Sequence, residues 1–296
     1  MLQIQGALLP KIQSAFHVSE TLLGLVAPMG TLGLTFTVLV VGLSAGRISV
    51  KKFTLTGVIV TSLSLILLGF SPAYFAFLLF LLLRGFGTGL FRGVDRPILN
   101  NFYPGRLGMI YNLHAAFWGL GAASGPLVAN LILNLTDNWR IVYYLFGLIT
   151  ITLVPALFIQ KLDTTGFMEV ALTREKLKEI TSQPETLWMI SGIVLNAGVE
   201  GIMFTWLAYY LTDIFGHAFG NLSLSLFLIT YVPGRLLTSW LAERFNLASI
   251  ALVNSFVITI TLTVAFFFSS GYVMVAFILI SGFSLASNFP TLLSLG

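Results

Sequence analysis

Apolar runs broken by short polar turns set the pattern of this chain. A helix that crosses a bilayer needs about 20 apolar residues. The first run, Met1 to about Phe16, is short. The others are Leu22–Gly46, Phe53–Phe70, Ala73–Phe102, Leu107–Leu135, Trp139–Gln160, Leu187–Phe215, Leu222–Ala242, Ala248–Ser269 and Tyr272–Leu295. One polar stretch, Lys161–Glu185, divides the sixth run from the seventh. Within it Thr173–Ile180 reads as a short charged helix in a solvated connector. The pattern predicts an all-α, polytopic transmembrane bundle. Its expected parts are an N-terminal bundle over 1–160, a linker over 161–186 and a C-terminal bundle over 187–296.

Composition supports that class. The 296 residues are 57% hydrophobic and 9% charged, with 26 Phe, against about 25% charged in a soluble domain. There is no Cys, which excludes thiolate metal sites and cysteine catalysis. Met1–Gln5 carries no basic leader, so insertion is expected to rely on the spans themselves.

Charge sets orientation. One set of loops holds Arg47, Lys51, Lys52, Arg106, Lys161, Arg174, Lys176, Lys178 and Arg244, and the opposite set holds Lys11 and Arg140. Positive residues concentrate on the cytoplasmic side, so the linker is expected there. The net charge of +4 therefore reflects topology and not nucleic-acid binding.

An internal repeat runs at a spacing of 197 residues. Ala45-Gly46-Arg47 at the end of the second span matches Ala242-Glu243-Arg244 at the end of the eighth. Gly85-Phe86-x-x-Gly89 in the fourth matches Gly282-Phe283-x-x-Ala286 in the tenth. Parallel repeats joined by a cytoplasmic linker are a transporter architecture. The register starts the first span midway and leaves the fifth and sixth spans without partners. The expectation is two pseudo-symmetric six-helix halves, the second incomplete, as in a fragment of a twelve-span protein.

The chemistry concentrates in Arg84–Pro126. Ionisable groups inside apolar spans are costly and face a bundle interior or a watery path. Arg84 lies about 10 residues into its span, near the midplane at about 1.5 Å per residue. It can bind an anionic group, or it can brace helix carbonyls. Arg92, Asp95 and Arg96 lie nearer the cytoplasmic end. Arg92 and Asp95, three apart, share a helical face, and Asp95 can also reach Arg47 or Lys51, which would latch the inward side. His114 and Trp118 are four apart on one face of the fifth span. Gly119, Gly121, Gly125 and Pro126 thin and bend that span.

Glu200 lies near the middle of the seventh span with no cation within a helical turn. A carboxyl group at that depth is a candidate proton carrier. Asn196 precedes it by one turn on the same face, while Trp206 follows it less well aligned. Amide, carboxylate and aromatic groups together suit a sugar ring. Tyr209 and Tyr210 belong by position to the interfacial belt. No pair of carboxylates shares a face with a nucleophile, and His17, His114 and His217 are scattered, so neither an enzyme nor a metal site is expected.

These residues resemble the major facilitator superfamily. Gly42-Leu43-Ser44-Ala45-Gly46-Arg47 with Lys51-Lys52 is similar to its loop signature after the second span, with Gly46 in place of the usual Asp; the second copy keeps an acid as Glu243-Arg244. Arg84-x-x-Gly87-x-Gly89 and Gly121-x-x-x-Gly125-Pro126 resemble its fourth- and fifth-span motifs. A finer similarity is to the sugar-carrier branch that includes fucose permeases. It rests on Asn101-x-x-Pro104, Arg106-x-Gly108, Asn112–Pro126, Ala197-Gly198-Val199-Glu200 and Asn288-Phe289-Pro290-Thr291.

The resemblance implies a secondary transporter in the cell membrane that works by alternating access, with no cofactor. Its expected partners are a small-molecule substrate, first a sugar, a proton and membrane lipid. The expected substrate or coupling residues are Arg84, His114, Trp118, Asn196, Glu200, Trp206 and Asn288. The expected gating residues are Arg47, Arg92, Asp95 and Arg244. The rival readings are an exporter of amphipathic compounds and a truncated, non-transporting membrane protein.

Overall fold

The computed structural model describes residues 2–44, 49–103, 107–160, 175, 178, 181–242 and 244–293. Among them all regular structure is helical. In chain order the helices are α1 (Leu2–Phe16), α2 (Glu20–Leu23), α3 (Val26–Leu43), α4 (Val50–Gly69), α5 (Tyr74–Arg92), α6 (Asp95–Phe102) and α7 (Leu107–Thr136). They continue as α8 (Trp139–Ile151), α9 (Leu153–Ile159), α10 (Pro184–Phe215), α11 (His217–Ile229), α12 (Tyr231–Ala242), α13 (Leu247–Thr263) and α14 (Gly271–Leu293). The described residues include 9 helical stretches long and apolar enough to cross a membrane. These are the second to tenth runs of the sequence pattern, and α1 is the short first one.

Three spans are broken in one way. A proline ring collides with the carbonyl four residues before it, but is tolerated in the first turn of a helix. Pro97 stands four residues after Gly93, where α5 has ended, and in the first turn of α6. Pro155 stands in the first turn of α9, four residues after the last residue of α8. Pro233 does the same for α12 after Ile229. Each of these helices is therefore interrupted at a position its own sequence marks. Pro126 lies inside the unbroken α7.

The eighth span starts five residues earlier than the apolar pattern predicts. Gly216 adopts φ 89 and its N–H bonds the Thr212 carbonyl, so α10 ends and α11 begins with one residue between them. Gly220 then lies so close to α10 that a Cβ there would strike Thr212 and the Ala208 carbonyl. The stretch Phe215–Phe219 holds no charged residue that would reveal such a turn.

The helices group into two compact units. One comprises Met1–Ala7, Ala115–Asn130 and Lys178–Gly296, and the other Leu8–His114 and Leu131–Leu177. In the first, Leu211, Leu224, Phe227, Tyr231, Ala265 and Ile278 form the apolar core. In the second, Phe16, Tyr74, Phe77, Trp139 and Tyr143 build an aromatic cluster with ring centroids 5.8–6.4 Å apart. Buried hydroxyls such as those of Thr37, Ser62 and Thr54 bond the carbonyl four residues back on their own helix. That satisfies them without a partner helix. Large apolar side chains such as Phe75, Phe267 and Ile159 stay exposed, as a lipid-facing surface permits.

The repeat reappears as packing. On α5, Gly85 sits against Gly30 and Gly33 of α3. On α14, Gly282 sits against Phe227 and Thr230, at the end of α11 and just after it. Residues 227, 230 and 282 are the positions 197 beyond 30, 33 and 85. Matching positions of the repeat thus meet twice, through backbone at Gly85 and through side chains at Gly282.

Candidate functional site

The break at Thr230 places Tyr231 as the first residue of α12, with Arg235 one turn on. The Tyr231 hydroxyl donates to Glu200 Oε1 on α10 at 3.2 Å. The Arg235 Nε donates to the Ala286 carbonyl of α14 at 3.2 Å, and its Nη1 to the Ala115 carbonyl of α7 at 3.4 Å. The guanidinium lies 5.3 Å from the centre of the Trp118 ring and 5.7 Å from that of Tyr231, within cation–π range. Trp118 also meets Phe204 and Tyr231 at 6.4 and 6.5 Å. One carboxylate, one phenol, one guanidinium and a set of ring faces therefore converge from α7, α10, α12 and α14, all within the first unit. The guanidinium takes backbone carbonyls, while the phenol takes the carboxylate.

Of the residues expected from sequence, Glu200 and Trp118 enter this cluster through Tyr231. Asn196 is buried one turn before Glu200, and neither atom of its amide has a hydrogen-bond partner among the described residues. Asn288 donates instead to Ser255 of α13 at 3.2 Å, and Asn254 donates to Ser287 at 3.2 Å, so these residues stitch α13 to α14. Trp206 meets Tyr209 edge-on at 5.4 Å.

The remaining expectations fall in the second unit or at helix ends. Arg84 is buried on α5, 5% exposed, with its Nε enclosed and unbonded. His114 is half-exposed, and its Nε2 lies 3.9 Å from Asp95 Oδ2. The spacing predicts an Arg92–Asp95 pair on one helical face; the break at Gly93 removes that shared face. Asp95 accepts from the Arg96 N–H at 2.6 Å and faces His114 instead. Lys51, an expected alternative partner of Asp95, donates to the Phe158 and Gln160 carbonyls at 2.8 Å and caps the end of α9. Arg244 lies over the Trp240 ring at 4.0 Å. Arg47 lies outside the described residues.

Two members of the cluster, Tyr231 and Arg235, are not among the residues expected from sequence. Arg235 carries the same signal as Arg84, a cation inside an apolar run. Tyr231 carries none, because a Tyr in a span reads equally as packing.

Comparison with known proteins follows the same lines. A bacterial homolog of the human lysosomal transporter Spinster, in an inward-facing and occupied conformation, superimposes with a TM-score of 0.75 at 17% identity, over 98% of this chain and 70% of that one. The nucleoside transporter NupG gives 0.74 at 14% identity, over 100% of this chain and 78% of that one. A variant of the E. coli fucose:proton symporter FucP gives 0.69 at 18% identity, over 99% and 79%. At these identities the likeness concerns the fold. No curated protein is similar enough in sequence to match. The sequence profile of the Major Facilitator Superfamily matches residues 1–296. The chain belongs to the major facilitator superfamily.

Proposed function

We propose that the chain carries a small polar solute of the sugar class across the cell membrane by alternating access, with Glu200 as the proton-coupling group. The Glu200–Tyr231–Arg235–Trp118 cluster supports this reading. Sugars present hydroxyls around their edge and C–H faces above and below. A carboxylate and a guanidinium can bond the edge, and an indole can stack on the face. A carboxyl group in an apolar span holds either a proton or a charge, and exchange between the two is what coupling requires. Tyr231 is bonded to that carboxyl group, and Arg235 stacks on Tyr231 and reaches α7 and α14. A change of charge at Glu200 is therefore felt by three other helices. Asp95 with His114, together with Arg47, closes the cytoplasmic side, and the linker 161–186 joins the N- and C-terminal bundles there. Proton symporters for fucose and for D-xylose share the fold.

The test is proton-linked uptake in vesicles over a panel of neutral sugars and sugar acids, with Glu200→Gln beside the unaltered protein. Solute-driven alkalinisation that disappears in Glu200→Gln is the expected result. Uptake that keeps its proton movement in Glu200→Gln would remove that residue from the coupling role. Failure of the inserted protein to respond to any member of the panel overturns the sugar reading and favours export of amphipathic compounds.

A further inference from the structure

We propose that Asn130 of α7 and Asn221 of α11 are the two halves of a clasp. It is a hydrogen bond between helices, open in this arrangement and closed in the second one that a carrier must visit. The inference rests on the carrier reading above and names a switching contact for it. Both residues lie in the first unit.

Three contacts fix how α7 runs against the eighth span. The Ala115 carbonyl accepts from Arg235 at 3.4 Å, the Trp118 ring lies 6.5 Å from that of Tyr231, and a Cβ on Gly119 would touch Val232 Cγ2 at 3.8 Å. Each step up α7 meets a step down α12, so the two run antiparallel. Before the break at Thr230 the pairing continues, since Ala122 and Ala123 share one apolar core with Leu224 and Leu228. Thr230 itself keeps helical angles, φ -62 and ψ -18, and carries the helical phase through. Eleven residues make about three turns. Asn130 stands eleven residues beyond Gly119, and Asn221 eleven before Val232. The register therefore sets the two amides opposite each other, three turns from the Gly119–Val232 contact. Ser225 stands one turn nearer that contact on α11, and Pro126 one turn nearer it on α7.

The facing groups are enclosed and unbonded. Asn221 is 1% exposed, and neither its Oδ1 nor its Nδ2 has a partner among the described residues. The same holds for Asn130 Oδ1 and Ser225 Oγ. Elsewhere in this unit buried amides are used, as where Asn254 and Asn288 donate to Ser287 and Ser255. A buried amide left unbonded costs more than a bonded one gains, and inside a bilayer only the neighbouring helices can supply partners. Each Asn carries a donor and an acceptor, so each can serve the other once the helices shift. Shifts of about 1–2 Å are ordinary in switching proteins. Pro126 has no N–H for the Ala122 carbonyl and loosens α7 between Gly119 and Asn130. The end bearing Asn130 can thus move while the Gly119 end stays seated. A bond made in only one of two arrangements draws the balance toward it, by about fivefold for one bond between membrane helices.

The chain has no Cys, so introduced cysteines report proximity directly. In liposomes, Asn130→Cys with Asn221→Cys should form an intramolecular disulfide on oxidation with copper phenanthroline. Asn130→Cys with Ser223→Cys should not, because positions 221 and 223 point to opposite sides of a helix. No disulfide in the first pair, or equal yields in both, overturns the proposal. Thermal unfolding in detergent decides whether the clasp is open at rest. Asn221→Leu removes an unbonded amide and should leave the midpoint unchanged or raised. A fall of about 3 °C or more shows an amide already bonded, through water or a neighbour, and overturns the proposal. In the sugar-uptake assay Asn221→Leu should slow transport by about fivefold while the melt holds, and an unchanged rate overturns the clasp but not the carrier. Uptake of no member of the panel, with the disulfide and the melt as expected, removes the carrier reading and leaves the clasp standing.

Discussion

The α3–α5 pair and its counterpart built from α11, α12 and α14 meet at matching positions of the repeat with opposite side chains. In the first pair Gly30 and Gly33 let Gly85 approach so closely that its Cβ would strike backbone atoms of α3. In the second, Phe227 and Thr230 meet Gly282 through side chains. The large residue has changed sides. Arg84 on α5 lies opposite the space at Gly30, whereas the position 197 beyond Arg84 is the buried Ser281, and the position 197 beyond Gly30 is Phe227. The second pair takes its cation from Arg235 on the other helix, where backbone carbonyls and rings surround it. A repeat can thus preserve helix approach while exchanging volume and charge across the contact. The same rare residue type bonds carbonyls in one unit, while in the other its Nε has no acceptor among the described residues.

The most disruptive change should fall on the ring that fills the second contact. Phe227 is fully buried and meets Phe204 and Tyr231. Phe227→Ala should cost about 3 kcal/mol through lost packing, read as a lowered midpoint of thermal unfolding in detergent. A change below about 0.5 kcal/mol would mean that the ring is not the volume that replaces Arg84's.

Glycine substitutions sharpen the same contrast. Gly85→Ala drives a methyl into α3 backbone, which cannot move aside, and should cost about 2 kcal/mol or more. Gly282→Ala meets the Phe227 ring and the Thr230 hydroxyl, which can rotate, and should cost about 1 kcal/mol. Equal losses in paired melts would erase the distinction drawn between the two contacts.

A smaller effect is expected at Tyr231→Phe. It removes one hydrogen bond to Glu200 and leaves the ring, at a cost of about 1 kcal/mol. Its effect on proton-linked uptake should exceed its effect on the melt. If uptake is unchanged, Tyr231 does not link Glu200 to Arg235. The least effect belongs to Asp137→Asn. The Lys11–Asp137 pair is 2.5 Å long, but the Asp137 side chain is 80% exposed, so its loss should move stability by less than about 0.5 kcal/mol. A larger loss would make this ion pair a fastening of the second unit.

The sequence by itself determined the all-helical, polytopic class and the placing of the spans, because a bilayer requires about 20 apolar residues per crossing and nothing local competes with that demand. It also determined the internal repeat, which the Gly85 and Gly282 contacts restate in packing. The breaks at Gly93, Thr152 and Thr230 were written in Pro97, Pro155 and Pro233, since a proline acts on the turn before it whatever surrounds it. Tertiary structure decided which polar groups meet. Helical spacing predicts that His114 and Trp118 face one way and that Arg92 and Asp95 pair. The structure gives His114 to Asp95 and Trp118 to Arg235, because a helix break rotates one face and neighbouring helices choose the rest. Arg84 and Arg235 are the same letter inside the same kind of run. Only the residues opposite them differ: Gly30 makes room for Arg84, while carbonyls and rings make Arg235 a tie between helices.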